Sequence, residues 1–261
     1  MELNLRGKSV LITGGSKGIG LGIARRMVAE GCSTIRLVAR HTAGLEAARD
    51  ILRRDGAERV DIIAADLGAR GSAETVLTGS GAVDILVNNA GAIPSGNIHS
   101  VDEDTWREAW DLKVFGYINM CRLAYRQMKD AGQGTIINII GAAGSHPEWG
   151  YIAGGTANAS LMALTRALGA SSLAAGIRVN GINPGLILTD RLESQMRRRA
   201  KAAGNEEAWT TLLERGWPPG RVEHIADMTA FLASDLSSFT SGTIIDIDGG
   251  YAARGHNRPP R

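Results

Sequence analysis

Apolar positions alternate along this chain between two spacings. Short, largely β-branched runs recur at Ser9–Thr13, Thr34–Ala39, Val60–Ala64, Ala82–Val87, Thr135–Ile140, Ile177–Ile182 and Thr243–Ile247. Each reads as a strand buried on both faces. Between them the spacing turns helical: Ile19, Ile23, Met27 and Val28 follow the first run, and a further helix ends near Arg54. A long helix is predicted from Asp102 to about Met128, started by the capping pair Ser100 and Glu103. Ile152 to about Leu173 and Ile225–Ala233 complete the helices. Residues 186–222 are polar and irregular, with helical pieces around Glu193 and Glu207, and residues 254–261 carry two prolines and no apolar run. That last stretch reads as a loose tail.

Strands alternating with helices require right-handed crossovers and a parallel sheet covered on both faces. The predicted fold is therefore α/β: one doubly wound, Rossmann-like domain over residues 1–261, with about seven parallel strands. Ligands in such sheets sit at the carboxyl ends of the strands. Six punctuated loops fall on that rim: Gly14–Gly20, Arg40, Asp66, Asn88–Gly91, Gly141–Gly144 and Asn183–Pro184–Gly185. The first joins a buried strand directly to a helix through Gly14, Gly15, Gly18 and Gly20. Free N–H groups and the positive helix end make that turn an anion site, and glycine lets a pyrophosphate approach the backbone. A tight turn with no ligand is the plainer alternative, but the combination points to a dinucleotide.

Composition narrows the class without naming a partner. The chain has 261 residues, 44% hydrophobic and 21% charged, as in an ordinary globular domain. A net charge of +2 gives no preference for nucleic acid or a membrane surface. Cys32 and Cys121 are the only cysteines, which offers neither a disulfide framework nor metal-ligand spacing. No run approaches the ~18 apolar residues of a membrane span, and the N-terminal MELNLRGK has no signal-peptide pattern. The expectation is a cytoplasmic protein that binds neither nucleic acid nor membrane and holds no metal.

These motifs resemble the short-chain dehydrogenase/reductase family across about residues 5–250. Thr13-Gly14-Gly15-Ser16-Lys17-Gly18-Ile19-Gly20 matches its TGxxxGxG turn, and Asn88-Asn89-Ala90-Gly91 its NNAG. Pro184-Gly185-Leu186-Ile187-Leu188-Thr189 matches PGxIxT, and Asp248-Gly249-Gly250 the closing DGG. The resemblance implies a nicotinamide cofactor held by Gly14, Ser16, Lys17, Gly18, Ile19, Gly20, Arg40, Asp66, Leu67, Asn89, Ala90, Gly91, Pro184, Gly185, Ile187 and Thr189. It also implies a homotetramer or homodimer, a small-molecule substrate, and a lid formed by residues 186–222. Ala39 stands where the family usually has the acidic residue that holds the ribose 2′-hydroxyl, and Arg40 and Lys17 lie beside it. Two cations and no carboxylate favour NADP(H) over NAD(H), with solvated surface charges as the alternative. Asp66 is expected either at the adenine amino group or capping the next helix.

The resemblance fails at the catalytic positions. The family uses an asparagine, a serine, a tyrosine and a lysine; local anchors place these at Lys113, Gly141, Gly154 and Asn158. Tyr151 lies three residues early, but Gly155 stands four beyond it, so YxxxK is not met from there. Two readings remain open. One is a site without hydride chemistry, hence a dinucleotide-binding or regulatory module, or a non-redox lyase or isomerase. The other is a rearranged oxidoreductase acting on a carbonyl/alcohol pair. In it Lys113 and Asn158 have exchanged positions, Tyr151 supplies the phenol, and Ser145 or His146 replaces the serine. An ammonium in that pocket should carry a reduced pKa unless a carboxylate pairs with it.

The lid contains Arg197-Arg198-Arg199, Lys201, Trp209 and Trp217. Such a charge run suits an acidic substrate or, more plainly, a solvated helix face. His99, Glu148 and Trp149 border the expected pocket, and no substrate class follows from them. Ile118, Met120, Cys121, Leu123 and Ala124, with Leu161, Met162, Leu164 and Leu168, are more apolar than one buried stripe requires. They predict an oligomer face, with core packing as the alternative.

Overall fold

The computed structural model describes residues 2–202, 204–210 and 219–254. Seven parallel strands form one sheet: β1 (Ser9–Thr13), β2 (Thr34–Ala39), β3 (Arg59–Ala64), β4 (Ile85–Asn88), β5 (Gly134–Ile139), β6 (Ile177–Pro184) and β7 (Ile244–Ile247). Their order is β3-β2-β1-β4-β5-β6-β7. The chain first winds outward from β1 to β3, then returns to β4 and winds the other way. The switch point lies between β1 and β4, where a crevice opens at the strand ends.

Side-chain alternation along β1 assigns the two faces. Val10 and Ile12 pack with Ile23 and Met27 of α1 (Gly18–Ala29), Leu45 and Leu52 of α2 (Thr42–Arg54), and Ile225 of α8 (Val222–Ala233). Leu11 points the other way, onto Val76 of α3 (Ser72–Ser80) and Met120 and Ala124 of α5 (Gly116–Ala131). Leu164 and Leu168 of α6 (Ile152–Ser172) flank that second core. These side chains are nearly all sealed from solvent, and each contributes about 1.5–3 kcal/mol of transfer free energy.

Three differences from the sequence expectation bear on the site. The predicted long helix is two helices, α4 (Glu103–Trp110) and α5, joined by a π-helical turn over Asp111–Phe115. Such a wide turn re-aims side chains and often marks a functional position; here it carries Lys113. Asp102, not Ser100, caps α4: its carboxylate accepts the Thr105 N–H at 2.7 Å. Ser100 instead accepts the Asn97 N–H at 2.9 Å, closing a turn before the helix. Helix α3 has no counterpart in the sequence reading, because its nine residues are weakly amphipathic and include Thr and Gly. The segment expected to form a lid carries α7 (Asp190–Ala202) and a short turn at Glu206–Trp209. Trp217 and the tail beyond Arg254 lie outside the described residues.

The apolar surplus on α5 and α6 is largely core. Met120, Cys121, Ala124, Leu161 and Met162 are all buried within the chain, and Leu123, Leu164 and Leu168 pack against them. Among the described residues no helix is long and apolar enough to cross a membrane, and no cluster of His, Cys, Asp and Glu could hold a metal ion.

Candidate active site

The glycine turn is locked to the end of β4 before any ligand arrives. Thr13 Oγ1 accepts the N–H groups of Asn89 at 2.9 Å and Ala90 at 3.0 Å. In return Asn89 Nδ2 donates to the carbonyls of Thr13 at 3.0 Å and Gly14 at 3.2 Å. Gly14 and Gly18 hold φ of +65° and +55°, in the region that disfavours side chains. A Cβ on Gly20 would overlap the Gly14 carbonyl. Helix α1 begins at Gly18 with no side chain capping it, so its first N–H groups face the crevice unpaired. An uncapped helix end behind a cradle that glycine alone can form fits a dinucleotide phosphate.

The remaining rim residues frame that cradle. Ser16 lies against Gly44, and Ile19 packs on the α1 side of the core. Lys17 and Arg40 are exposed and make no ion pair among the described residues. Asp66 accepts the Gly68 N–H at 3.0 Å, closing a turn ahead of α3 rather than capping the helix itself. Leu67 beside it is buried. Pro184 ends β6, and the Gly185 N–H donates to the Ile247 carbonyl at 3.0 Å. Ile187 is buried, and Thr189 Oγ1 accepts the Leu192 N–H at 3.3 Å, starting α7. The Thr189 methyl stands 3.6 Å from where a Cβ on Gly18 would lie, so the lid base touches the glycine turn.

Three strand ends and two helices converge on the catalytic positions. The π-turn sends Lys113 across Gly91, its Cδ 3.0 Å from the place of a Gly91 Cβ. Its ammonium donates to the Ile140 carbonyl at 2.7 Å. Asn158 on α6 reaches the next residue: its Nδ2 lies 2.8 Å from where a Cβ on Gly141 would stand, and Gly141 holds φ of +139°. The ammonium and the amide thus meet at the Ile140–Gly141 segment. Asn158 Oδ1 is buried and has no hydrogen-bond partner among the described residues.

Tyr151 precedes α6. Its backbone bridges to Gly96 of the loop after β4, and its carbonyl accepts the Gly155 N–H at 2.8 Å. The ring folds back over α6, where a Cβ on Gly154 would overlap Tyr151 Cε1 and Cζ. Ser145 and His146 face elsewhere: Ser145 Oγ lies 3.5 Å from Met162 Sδ, and the His146 ring packs edge-on against Tyr251 at 6.5 Å. His146 Nδ1 is buried without a partner.

Sequence reasoning passed over Arg191, in the first turn of α7. Its Nη1 donates to the Gly91 carbonyl at 2.6 Å and its Nη2 to that of Ile93 at 3.4 Å. Its charge reaches both Lys113 and Tyr151. Burial, and then Arg191, pull the Lys113 ammonium down to about 7. Burial raises the Tyr151 phenol, and Arg191 partly offsets that rise. Only its position two residues past the PGxIxT motif could have drawn attention to Arg191. The Arg197 side chain, part of the arginine run, is instead used inside the lid. It bonds Glu193 at 2.8 Å and stacks on Trp209 at 4.5 Å.

The sequence model described as short chain dehydrogenase matches residues 8–200. The chain belongs to this family. Its relatives include proteins named as dehydrogenases and reductases, which supports an NAD(P)-dependent oxidoreductase. A 3-oxoacyl-[acyl-carrier-protein] reductase of Chlamydia muridarum is 31% identical, over 97% of this chain and all of its own. The cis-4-hydroxycyclohexanecarboxylate dehydrogenase of Sinomonas cyclohexanicum is 32% identical, over 93% of this chain and 96% of its own. Among solved structures, L-sorbose reductase of Gluconobacter frateurii, complexed with NADPH and L-sorbose, superposes with a TM-score of 0.88 at 30% identity, covering 95% and 98% of the two chains. NAD+-bound xylitol dehydrogenase superposes with a TM-score of 0.85 at 27% identity, covering 95% and 100%.

Proposed function

We propose that this chain is an NADP(H)-dependent oxidoreductase of a carbonyl/alcohol pair, with its proton chemistry on Tyr151 and Lys113 rather than the family's usual residues. The observation that carries this reading is the seat of the Tyr151 ring on Gly154. A phenol fills the space at the root of the position where the resemblance expects one, and the glycine makes room for it. When bound, the nicotinamide supplies the hydride in reduction and takes it up in oxidation.

The chain's own residues handle the oxygen. Burial keeps Tyr151 protonated at neutral pH, so its O–H is a donor to a developing alkoxide. Lys113, at about 7, is divided between ammonium and amine, and the ammonium polarises the same oxygen. Asn158 Oδ1, buried and unpartnered, accepts from a hydroxyl of cofactor or substrate. Gly141 adds no hydroxyl, which leaves substrate orientation to Tyr151 and Lys113. Lys17 and Arg40, with Ala39 in place of a carboxylate, support NADP(H). The superposed structures include both NADPH and NAD+ complexes, so the rim charges carry that preference. Phe115, 51% exposed beside a groove of about 840 Å³ along α4 and α5, supports assembly with further copies of this chain.

The test is fluorescence titration with NADPH and NADH, followed by a carbonyl and alcohol panel read by NADPH absorbance. Expected are tighter binding of NADPH and turnover on some panel member. Tyr151→Phe and Lys113→Met should each abolish that turnover and leave NADPH affinity nearly unchanged. Tighter NADH binding, or full activity in either variant, rejects the corresponding half. The second reading, a dinucleotide-binding module, is favoured by one feature. Tyr151 brings its Cζ end to the root of position 154, so its hydroxyl sits closer to α6 than that of a tyrosine rooted there. Cofactor binding with no turnover across the panel would select it.

A further inference from the structure

Arg191 and Lys113 lie on two sides of one residue. Arg191 donates to the Gly91 carbonyl at 2.6 Å, and the Lys113 stem passes the Gly91 α-carbon. Two cations therefore stand side by side where β4 meets the lid. Neither forms an ion pair among the described residues. Four carboxylates along the same rim are occupied elsewhere, and Asp190, next to Arg191 in the chain, is exposed and forms no ion pair with it among the described residues. Asp66 takes the Gly68 N–H, Glu193 takes Arg197, Asp248 takes the N–H groups of Gly250 and Ala252, and Glu148 takes the Tyr251 hydroxyl.

The guanidinium is also held in place. Two backbone carbonyls fix Arg191, and Gln195, one turn on along α7, donates to Ser95 Oγ at 2.7 Å. Of five guanidinium N–H donors, two are used and three remain. An arginine with its rotamer already fixed loses little further entropy when an anion binds. It can grip a planar carboxylate through two parallel hydrogen bonds. A polyol or a neutral ketone has no group that would use this charge.

We infer that Arg191 anchors a carboxylate of the substrate, and that the reactive pair is an oxo acid and its hydroxy acid. This rests on the oxidoreductase reading and names its substrate class. The carboxylate would lie at Arg191 at the lid, with the reacting carbon turned inward to Tyr151 and Lys113. Reduction then joins one hydride and one proton to the carbonyl, and the carboxylate is unchanged.

The experiment pairs turnover with a binding measurement that needs no chemistry. Rates with NADPH are compared for 4-oxocyclohexanecarboxylate and its carboxamide. Calorimetry then measures binding of cyclohexanecarboxylate and cyclohexanecarboxamide to enzyme saturated with NADP+. The acid should be preferred in both assays. Arg191→Gln should cut that preference by about 10-fold or more, the scale of one lost charge-assisted hydrogen bond, and Arg191→Lys should restore part of it. Equal binding of acid and amide by the unaltered protein overturns the inference, as does an acid preference that survives Arg191→Gln. A fall in NADP+ affinity in Arg191→Gln, with the acid preference intact, reassigns Arg191 to the cofactor. Arg191-dependent binding without turnover upholds the anion site and rejects the redox reading instead.

Discussion

The ring of Tyr151 lies on the α-carbon of Gly154, three residues on, leaving no room for a side chain there. A helix usually turns residues i and i+3 toward one face. Here Tyr151 is the residue before α6, with φ of −144° and ψ of 43°, and this non-helical backbone folds the ring over the first turn. Gly154→Ala should therefore displace the ring. Expected is a loss of about 1–3 kcal/mol in stability, as for other overpacked sites, with most of the turnover lost. Denaturant unfolding and steady-state rates check both.

The ammonium form of Lys113 is the one that polarises an oxygen. Because burial brings it to about 7, kcat/KM for reduction should fall as pH rises through that value. Tyr151, held above its ordinary range, stays protonated over the same interval and adds no inflection. In Lys113→Met any residual reduction should be flat across it. A pH-rate profile on both proteins decides this.

The same group links folding to pH with the opposite sign. Between about 7 and the unfolded lysine value of about 10.4, the folded chain binds fewer protons than the unfolded one. Stability contributed through Lys113 should rise with pH over that window, by an amount on the order of a few kcal/mol. Lys113→Met should flatten that slope in urea titrations run at several pH values.

Arg40 and Lys17 stand free at the end of β2 and in the glycine turn. Arg40→Asp should invert the cofactor preference by placing a carboxylate near the ribose 2′-hydroxyl and removing a partner for a 2′-phosphate. Expected is a weakening of NADPH by about 10-fold or more, the scale of one lost charge-assisted contact, with NADH unchanged or tighter. Fluorescence titration with both nucleotides measures it.

Away from the site, Arg178 holds three elements together. The residue is 8% exposed, and its guanidinium donates to the Thr135 and Ser237 hydroxyls and the carbonyls of Leu232 and Ala233. Arg178→Met should orphan those acceptors and cost about 3–5 kcal/mol. The thermal midpoint should drop without any change in cofactor preference.

The strands, their order of appearance and the rim were legible because each rests on local chemistry. A two-face-buried strand needs a continuous apolar run, and Ser9–Thr13 and Thr34–Ala39 have the predicted limits. Gly14 and Gly18 were readable as backbone requirements because no other residue adopts their φ without cost. Counting from anchors singled out Lys113 and Asn158, and both side chains reach the Ile140–Gly141 segment. Helix interruption was less visible: nothing in Asp111–Phe115 announces a π-turn. The cap moved from Ser100 to Asp102, two residues on, because Ser100 is used in the turn that closes the preceding loop.

By itself, then, the sequence determined the sheet, the glycine cradle and the charges beside it. Counting along it placed Lys113, Gly141, Gly154 and Asn158 where the resemblance expects the catalytic side chains. Only the tertiary structure decided which side chains gather around those positions. Contacts between Tyr151 and Gly154 depend on the backbone angle before α6. Those between Lys113 and Ile140 depend on the swing of a π-turn, and Arg191 comes to Gly91 from a helix 100 residues away along the chain. Periodicity reports which face of an element is apolar. It holds no record of which polar groups from distant elements share one small volume, because that is set by how the elements pack.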